Sequence, residues 1–236
     1  MQRVHCEWGL SGVQALRERV AVMVIVDVLS FSTAVDVAVH RHARIHPFPY
    51  GDDEAARAEA TRLGVRLAAS RKAGGQLSLS PASLMKLNPG ERLLLPSPNG
   101  SRLSLACGRA AVLAGCLRNA EAVASKALAL AEGADIAVIP AGERWPDDSL
   151  RPAIEDLLGA GAIIAALKLN GEPEAEVARD AFLSAQPHLA HTLRGCRSGL
   201  ELIGREHAMD VEIALELNVS HCAPMLKNGA YENAAA

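Results

Sequence analysis

Three acidic side chains stand where this chain could do chemistry. The run Val20 to Val35, VAVMVIVDVLSFSTAV, is a solid apolar strand that ends on the lone carboxylate of Asp27, with Ser32 and Thr33 close behind. No cationic neighbour in sequence neutralises that carboxylate, so a metal ion or a helix end must receive it. Glu155-Asp156 opens the second acidic feature, the apolar segment Ile154 to Ile163. On a helix, Asp156 shares a stripe with Ala160, Ile163 and Leu167, and Glu155 shares a face with Gly159 and Ala162. Asp27, Glu155 and Asp156 make an oxygen-donor set suited to a hard divalent ion such as Mg²⁺, which keeps several of its waters. Glu143 is a candidate fourth carboxylate. The bland alternative is that both acids of the pair favour a helix N-terminus and that Glu155 pairs with Arg151, four residues earlier.

A second constellation is Ser97-Pro98-Asn99-Gly100-Ser101-Arg102, where a strand gives way to a helix. Free backbone donors there, with Gly100 allowing close approach and Arg102 offering a forked guanidinium, form a candidate anion cradle. Ordinary turn chemistry explains the same residues. Asn119 has the same ambiguity, since an Asn before a helix also caps it. Two familiar α/β mechanisms fail on spacing. Gly159-Ala-Gly161 lies inside an apolar helix without the third glycine of a dinucleotide fingerprint, and position 29, two residues after Asp27, is Leu where a phosphoaspartate phosphatase needs a second Asp.

These residues are positioned by alternating strands and helices. Seven of eight residues from Val20 to Asp27 are apolar without alternation, which fits a strand covered on both faces. Further strands are expected over 43–48, 65–69, 92–96, 110–115 and 135–140, with helices over 32–41, 52–63, 119–131, 148–169 and 174–183. A polar loop is expected over 70–81, another loop at 195–199, and a short helix at 201–206. Residues 210–218 fit either a strand or a helix. The alternation predicts an α/β protein with mostly parallel sheets and flanking helices, active at the carboxyl ends of its strands. A boundary near 125 would divide it into an N-terminal lobe, 1–125, and a C-terminal lobe, 126–236, unless the chain is one compact unit.

Composition excludes several roles. With a net charge of -3 and 3% aromatic residues over 236 positions, the chain offers neither a broad basic surface nor a stacking platform for nucleic acid. The apolar run before Asp27 is too short to span a bilayer, and no signal peptide is evident. Five cysteines without a C-x-x-C pair read as reduced thiols in a cytoplasmic protein. His40-x-His42 and His188-x-x-His191 lack a metal-site pattern. Partners are therefore a small molecule and, as the oligomer to test, a homodimer, with neither nucleic acid nor membrane.

Several segments, in order and over nearly the whole chain, resemble the 2-phosphosulfolactate phosphatase family, known from coenzyme M biosynthesis and found widely in bacteria that do not make that cofactor. They are Val26-Asp27-Val28-Leu29 with Ser32-Thr33, Leu79-Ser80-Pro81, Pro98 to Arg102, Gly115 with Asn119-Ala120, Ala141-Gly142, Glu155-Asp156 with Ala160-Gly161-Ala162, and Asp210-Val211-Glu212. The resemblance implies an α/β phosphohydrolase that uses Mg²⁺ to remove phosphate from a small acidic phosphoester, with its site between two α/β lobes. Asp27, Glu155 and Asp156 would then hold the metal directly or through water, and a metal-activated water would attack. Backbone donors at Gly100 and Ser101, with Asn99, Arg102 and Asn119, would receive the phosphoryl oxygens. Ser32 and Thr33 would orient waters or phosphate, and Arg197-Ser198 would reach the substrate's acid group. The chain departs from the family where Ser30 replaces a usual Arg, Leu79 a usual Asn, Pro140 a usual Cys and Asn218 a usual Asp. The alternative is a catalytically silent binding protein for an anionic metabolite.

Overall fold

The computed structural model describes residues 2–71 and 76–234. Its strands are β1 (Val4–Cys6), β2 (Val22–Val26), β3 (Arg44–Pro49), β4 (Arg66–Leu67), β5 (Arg92–Ser97), β6 (Ala111–Gly115), β7 (Ile136–Pro140), β8 (Glu143–Arg144), β9 (Leu150–Arg151), β10 (Pro224–Lys227) and β11 (Ala230–Asn233). The helices are α1 (Gly9–Leu16), α2 (Phe31–His40), α3 (Asp53–Leu63), α4 (Pro81–Leu84), α5 (Gly100–Ala106), α6 (Ala120–Ala131), α7 (Ile154–Leu167), α8 (Pro173–Ala185), α9 (Leu189–Gly195), α10 (Arg197–Gly204) and α11 (Ala208–Ala214).

β2 is apolar throughout because both its faces are covered. Met23 and Ile25 enter a core with Phe31, Val35 and Leu103, while Val22, Val24 and Val26 enter another with Val123 and Ile163. Parallel pairing gives one block in the order β1-β7-β2-β6 and a second in the order β3-β5-β4. The antiparallel hairpin β10–β11 joins them, β10 against β6 and β11 against β3, into a nine-stranded sheet. β7, from the second half of the chain, lies between β1 and β2, from the first. The two halves of the chain therefore contribute strands to one sheet.

The curvature of this sheet makes the site. β2 and β5 are five strand spacings apart, about 24 Å across a flat sheet, and the residues from Ser97 to Gly100 reach only about 10 Å. Yet the Gly100 N–H donates to Asp27 Oδ2 at 2.9 Å. The sheet must curl so that the carboxyl ends of its two parallel blocks converge.

Several expected elements stand as read. α3 is capped by Asp52, whose Oδ1 accepts the Ala55 N–H, and stops at Gly64 with φ 61°. Others differ. The helix expected from 148 begins at Ile154, because Leu150–Arg151 pairs with Glu143–Arg144 as an antiparallel ribbon and Pro152 holds the residue before it extended. The loop expected over 195–199 is a break between α9 and α10, where Cys196 Sγ accepts the Gly199 N–H. Residues 208–214 are helical. Of the loop expected over 70–81, residues 72–75 lie outside the described residues. The C-terminal hairpin, which the sequence reading did not expect, turns at Asn228-Gly229, whose φ values of 50° and 79° suit a tight two-residue turn. Among the described residues no helix is long and apolar enough to cross a membrane.

Candidate active site

Asp27 follows β2 and is 6% exposed. Its Oδ1 accepts the Phe31 N–H at 3.1 Å, at the start of α2, and its Oδ2 accepts the Gly100 N–H at the start of α5. One carboxylate thus ties together two helix N-termini from opposite blocks of the sheet, each with its positive end toward the charge. Ser32 fixes the backbone beneath it: its Oγ donates to the Ile25 carbonyl and accepts the Asp27 N–H. Thr33 Oγ1 donates to the Val28 carbonyl. Both hydroxyls are fully buried. They lock the strand-to-helix joint, whereas the sequence assigned them to waters or phosphate.

Asp156, in the first turn of α7, reaches the same joint. Its Oδ1 accepts the Val28 N–H at 2.7 Å and its Oδ2 the Gly142 N–H at 2.8 Å, so it bridges the ends of β2 and β7. Glu155, beside it, is 2% exposed. Arg151, its expected partner, instead donates to Ser198 Oγ at 3.3 Å and stands 3.5 Å from Glu201. Burial pushes the Asp27 carboxyl up to about 6, with Glu143 and Glu155 adding like charge against the backbone donors at Phe31 and Gly100. Burial also raises Asp156 well above the carboxylate range, with Asp27 and Glu155 as repelling neighbours.

Two crowded carboxylates that repel each other are a donor pair whose charge a cation would relieve. Each oxygen of Asp27 and Asp156 accepts one backbone N–H and retains a second lone pair. Among the described residues no three His, Cys, Asp or Glu side chains form a group that could hold a metal ion. Mg²⁺ usually takes one or two protein carboxylates and completes its shell with water.

A family model described as 2-phosphosulpholactate phosphatase matches residues 12–229. The 2-phosphosulfolactate phosphatase of Methanothermobacter thermautotrophicus is 32% identical over 216 residues, covering 89% of this chain and 88% of the relative. The chain belongs to the 2-phosphosulfolactate phosphatase family. It is accordingly an enzyme of the phosphoric monoester hydrolase class.

The segments that carry the family resemblance do not all meet at Asp27. Gly100 turns its N–H to Asp27, where a phosphoryl oxygen was expected, and a Cβ on it would lie 2.1 Å from the Phe31 ring. Ser101 Oγ donates to the Leu95 carbonyl. Asn99 Nδ2 donates to Glu143 Oε1 at 2.8 Å, and both residues line a 230 Å³ cleft with the exposed Arg102. Asn119 is fully buried and turned on its own loop: Oδ1 accepts the Cys116 N–H, and Nδ2 donates to the Ala114 carbonyl. That geometry meets neither expectation: Asn119 makes no side-chain cap bond to α6 and instead closes the loop that precedes it. Gly159 and Gly161 serve packing, since a Cβ on them would lie 2.6 Å from Val28 and 2.1 Å from the Ala178 carbonyl oxygen. Arg197 stacks over the Trp145 ring at 4.7 Å, and Ser198 meets Arg151. Asn218 pairs with Glu121 at the start of α6.

Sequence reasoning passed over Arg71 and gave Asp210 no role. At Ser30, where this chain departs from the family, Arg71 Nη2 donates to Ser30 Oγ at 2.5 Å and to the Leu79 carbonyl at 3.1 Å. Asp210, on α11, accepts from Ser80 Oγ and the Ala82 N–H and stands 3.6 Å from Arg71. The adjacent basic residues Arg71 and Lys72 in a polar loop were the available signal. The partners of Arg71 are distant in sequence, so spacing could not pair it with Ser30 or Asp210.

Proposed function

We propose that the protein hydrolyses 2-phosphosulfolactate, or a close acidic phosphoester, in a Mg²⁺-dependent reaction at the Asp27–Asp156 site. One observation carries this reading: two buried carboxylates, each anchored on two backbone donors, converge at the ends of β2 and β7 in a chain of this family. Asp27 and Asp156 would hold Mg²⁺ directly or through water, with Glu155 adding negative charge beside them, and the ion would supply charge neutralisation and an activated water. Ser32 and Thr33 hold the Asp27 joint rigid, so that the carboxylate keeps its aim. Asn99 orients Glu143 at the wall of the adjoining cleft, and Arg102 supplies a guanidinium at its exposed side.

Phosphate release from 2-phosphosulfolactate tests this reading. Release with Mg²⁺, its loss in EDTA and its return on adding Mg²⁺ are the expected results. Absence of release at any Mg²⁺ concentration, together with calorimetric binding of the phosphoester, would favour the silent binding protein.

A further inference from the structure

Arg71 lies four residues after β4 and, in space, beside Ser30 at the start of α2. Its Nη2 holds Ser30 Oγ and the Leu79 carbonyl, but its Nε is buried and has no hydrogen-bond partner among the described residues. Buried donors are nearly always paired, so an unpaired guanidinium N–H beside a carboxylate site points to an acceptor that arrives from outside. Asp210 does not supply it. Its Oδ1 is taken by Ser80 and Ala82, and its Oδ2 stands 3.6 Å from Nη2 without a hydrogen bond.

A second guanidinium belongs to the same region. Arg205 is exposed, forms no ion pair among the described residues, and lines a 350 Å³ cleft with Glu143, Arg144, Arg151 and Arg197. Burial first, and the like charge of Arg205 with it, lowers Arg71, whereas Asp210, Asp27 and Glu143 favour its charged form. Two guanidinium groups that repel each other are stabilised by an anion shared between them, and the planar fork of arginine suits a carboxylate or sulfonate. The approach direction assigns which anion. Asp156 reaches the Asp27 joint from the β7 side through Val28 and Gly142, whereas Arg71 reaches it from the β4 side through Ser30.

We propose that Arg71, assisted by Arg205, binds the acid group of the substrate that is not transferred, and so selects phosphoesters with a second anionic end. The inference rests on the phosphatase reading above for the identity of the substrate. Removal of phosphate from 2-phosphosulfolactate leaves sulfolactate, which keeps that acid end and can be titrated without turnover.

Calorimetric titration of wild type, Arg71→Ala, Arg71→Lys and Arg205→Ala with sulfolactate, and separately with inorganic phosphate, tests the assignment in the full chain with Mg²⁺ present. Arg71→Ala is expected to weaken sulfolactate binding about 100-fold, with phosphate affinity within about threefold of wild type. Arg71→Lys, which keeps the charge but loses the fork, should fall between the two. In kinetics the loss should enter KM more than kcat. Equal sulfolactate affinity in wild type and Arg71→Ala, no sulfolactate binding by wild type, or an equal loss of phosphate affinity would each overturn the proposal. Arg71-dependent sulfolactate binding by a wild type that releases no phosphate would sustain it while the hydrolytic reading fails.

Discussion

Asp156 is bonded to the residue that follows Asp27: its Oδ1 accepts the Val28 N–H at 2.7 Å, while its Oδ2 holds Gly142 beyond β7. The second carboxylate therefore sets the position of the first through the backbone. Asp156→Asn keeps one acceptor and leaves a buried N–H unpaired, a cost of about 1–3 kcal/mol. A raised carboxyl contributes stability that is present at low pH and lost as pH rises through its folded value. The variant should thus trail wild type most at low pH and less as pH rises in chelator, with turnover lost throughout. Urea midpoints check this, and a gap that widens with pH contradicts it.

Asp27 offers a titration near neutrality. Its carboxyl rises from 3.8 to about 6 in the folded chain. Between those values the folded state binds the proton that the unfolded state has released, so this group's stabilising contribution falls as pH rises from about 4 to 6. Melting temperature in EDTA should show that decline, and Mg²⁺ should flatten it by favouring the charged form. Turnover should rise through about pH 6, because a protonated Asp27 is a poor cation ligand. A pH-rate profile that falls across this range would oppose the assignment.

Gly100 is small because Phe31 occupies the space beside it. A Cβ there would meet Phe31 Cδ1 at 2.1 Å and Cβ at 2.8 Å. Gly100→Ala should cost about 1–3 kcal/mol in overpacking and lower kcat, since the shift displaces the N–H that holds Asp27 Oδ2. Denaturant midpoint and kcat are the paired readouts, and a variant normal in both would refute the close packing.

A separate prediction concerns stability without chemistry. Asp36 is fully buried on α2, where Arg118 Nε donates to its Oδ2 at 2.9 Å and Ser220 Oγ to its Oδ1 at 2.6 Å. Arg118 also donates to the Ile213 carbonyl and pairs with Glu216, so it pins the C-terminal segment to α2. Arg118→Met strands the Asp36 charge and should cost about 3–5 kcal/mol. The double variant Arg118→Met, Asp36→Leu should recover much of that loss. Chemical denaturation of both variants checks it.

Two strong signals were local. The unbroken apolar run of β2 and the carboxylate that ends it required only a strand covered on both sides and a functional edge, and that edge is where Asp27 stands. The acidic start of α7 was visible because an apolar helix seldom carries two acids on its buried side. Local spacing also made Gly100 legible as a close-approach glycine. What approaches it, the Phe31 ring and the Asp27 carboxylate, was not legible, because both lie some 70 positions away in the chain.

The sequence alone determined the α/β class, the strand-end carboxylate, the acidic pair and the family likeness, because each is written in short local segments or in their order along the chain. Tertiary structure decided the rest. The curl of one nine-stranded sheet brought the ends of β2 and β5 within a hydrogen bond, made Asp27 the clasp between two helix N-termini, and laid Arg71 against Ser30. Such contacts depend on strand order and sheet curvature, which arise from packing across the whole fold.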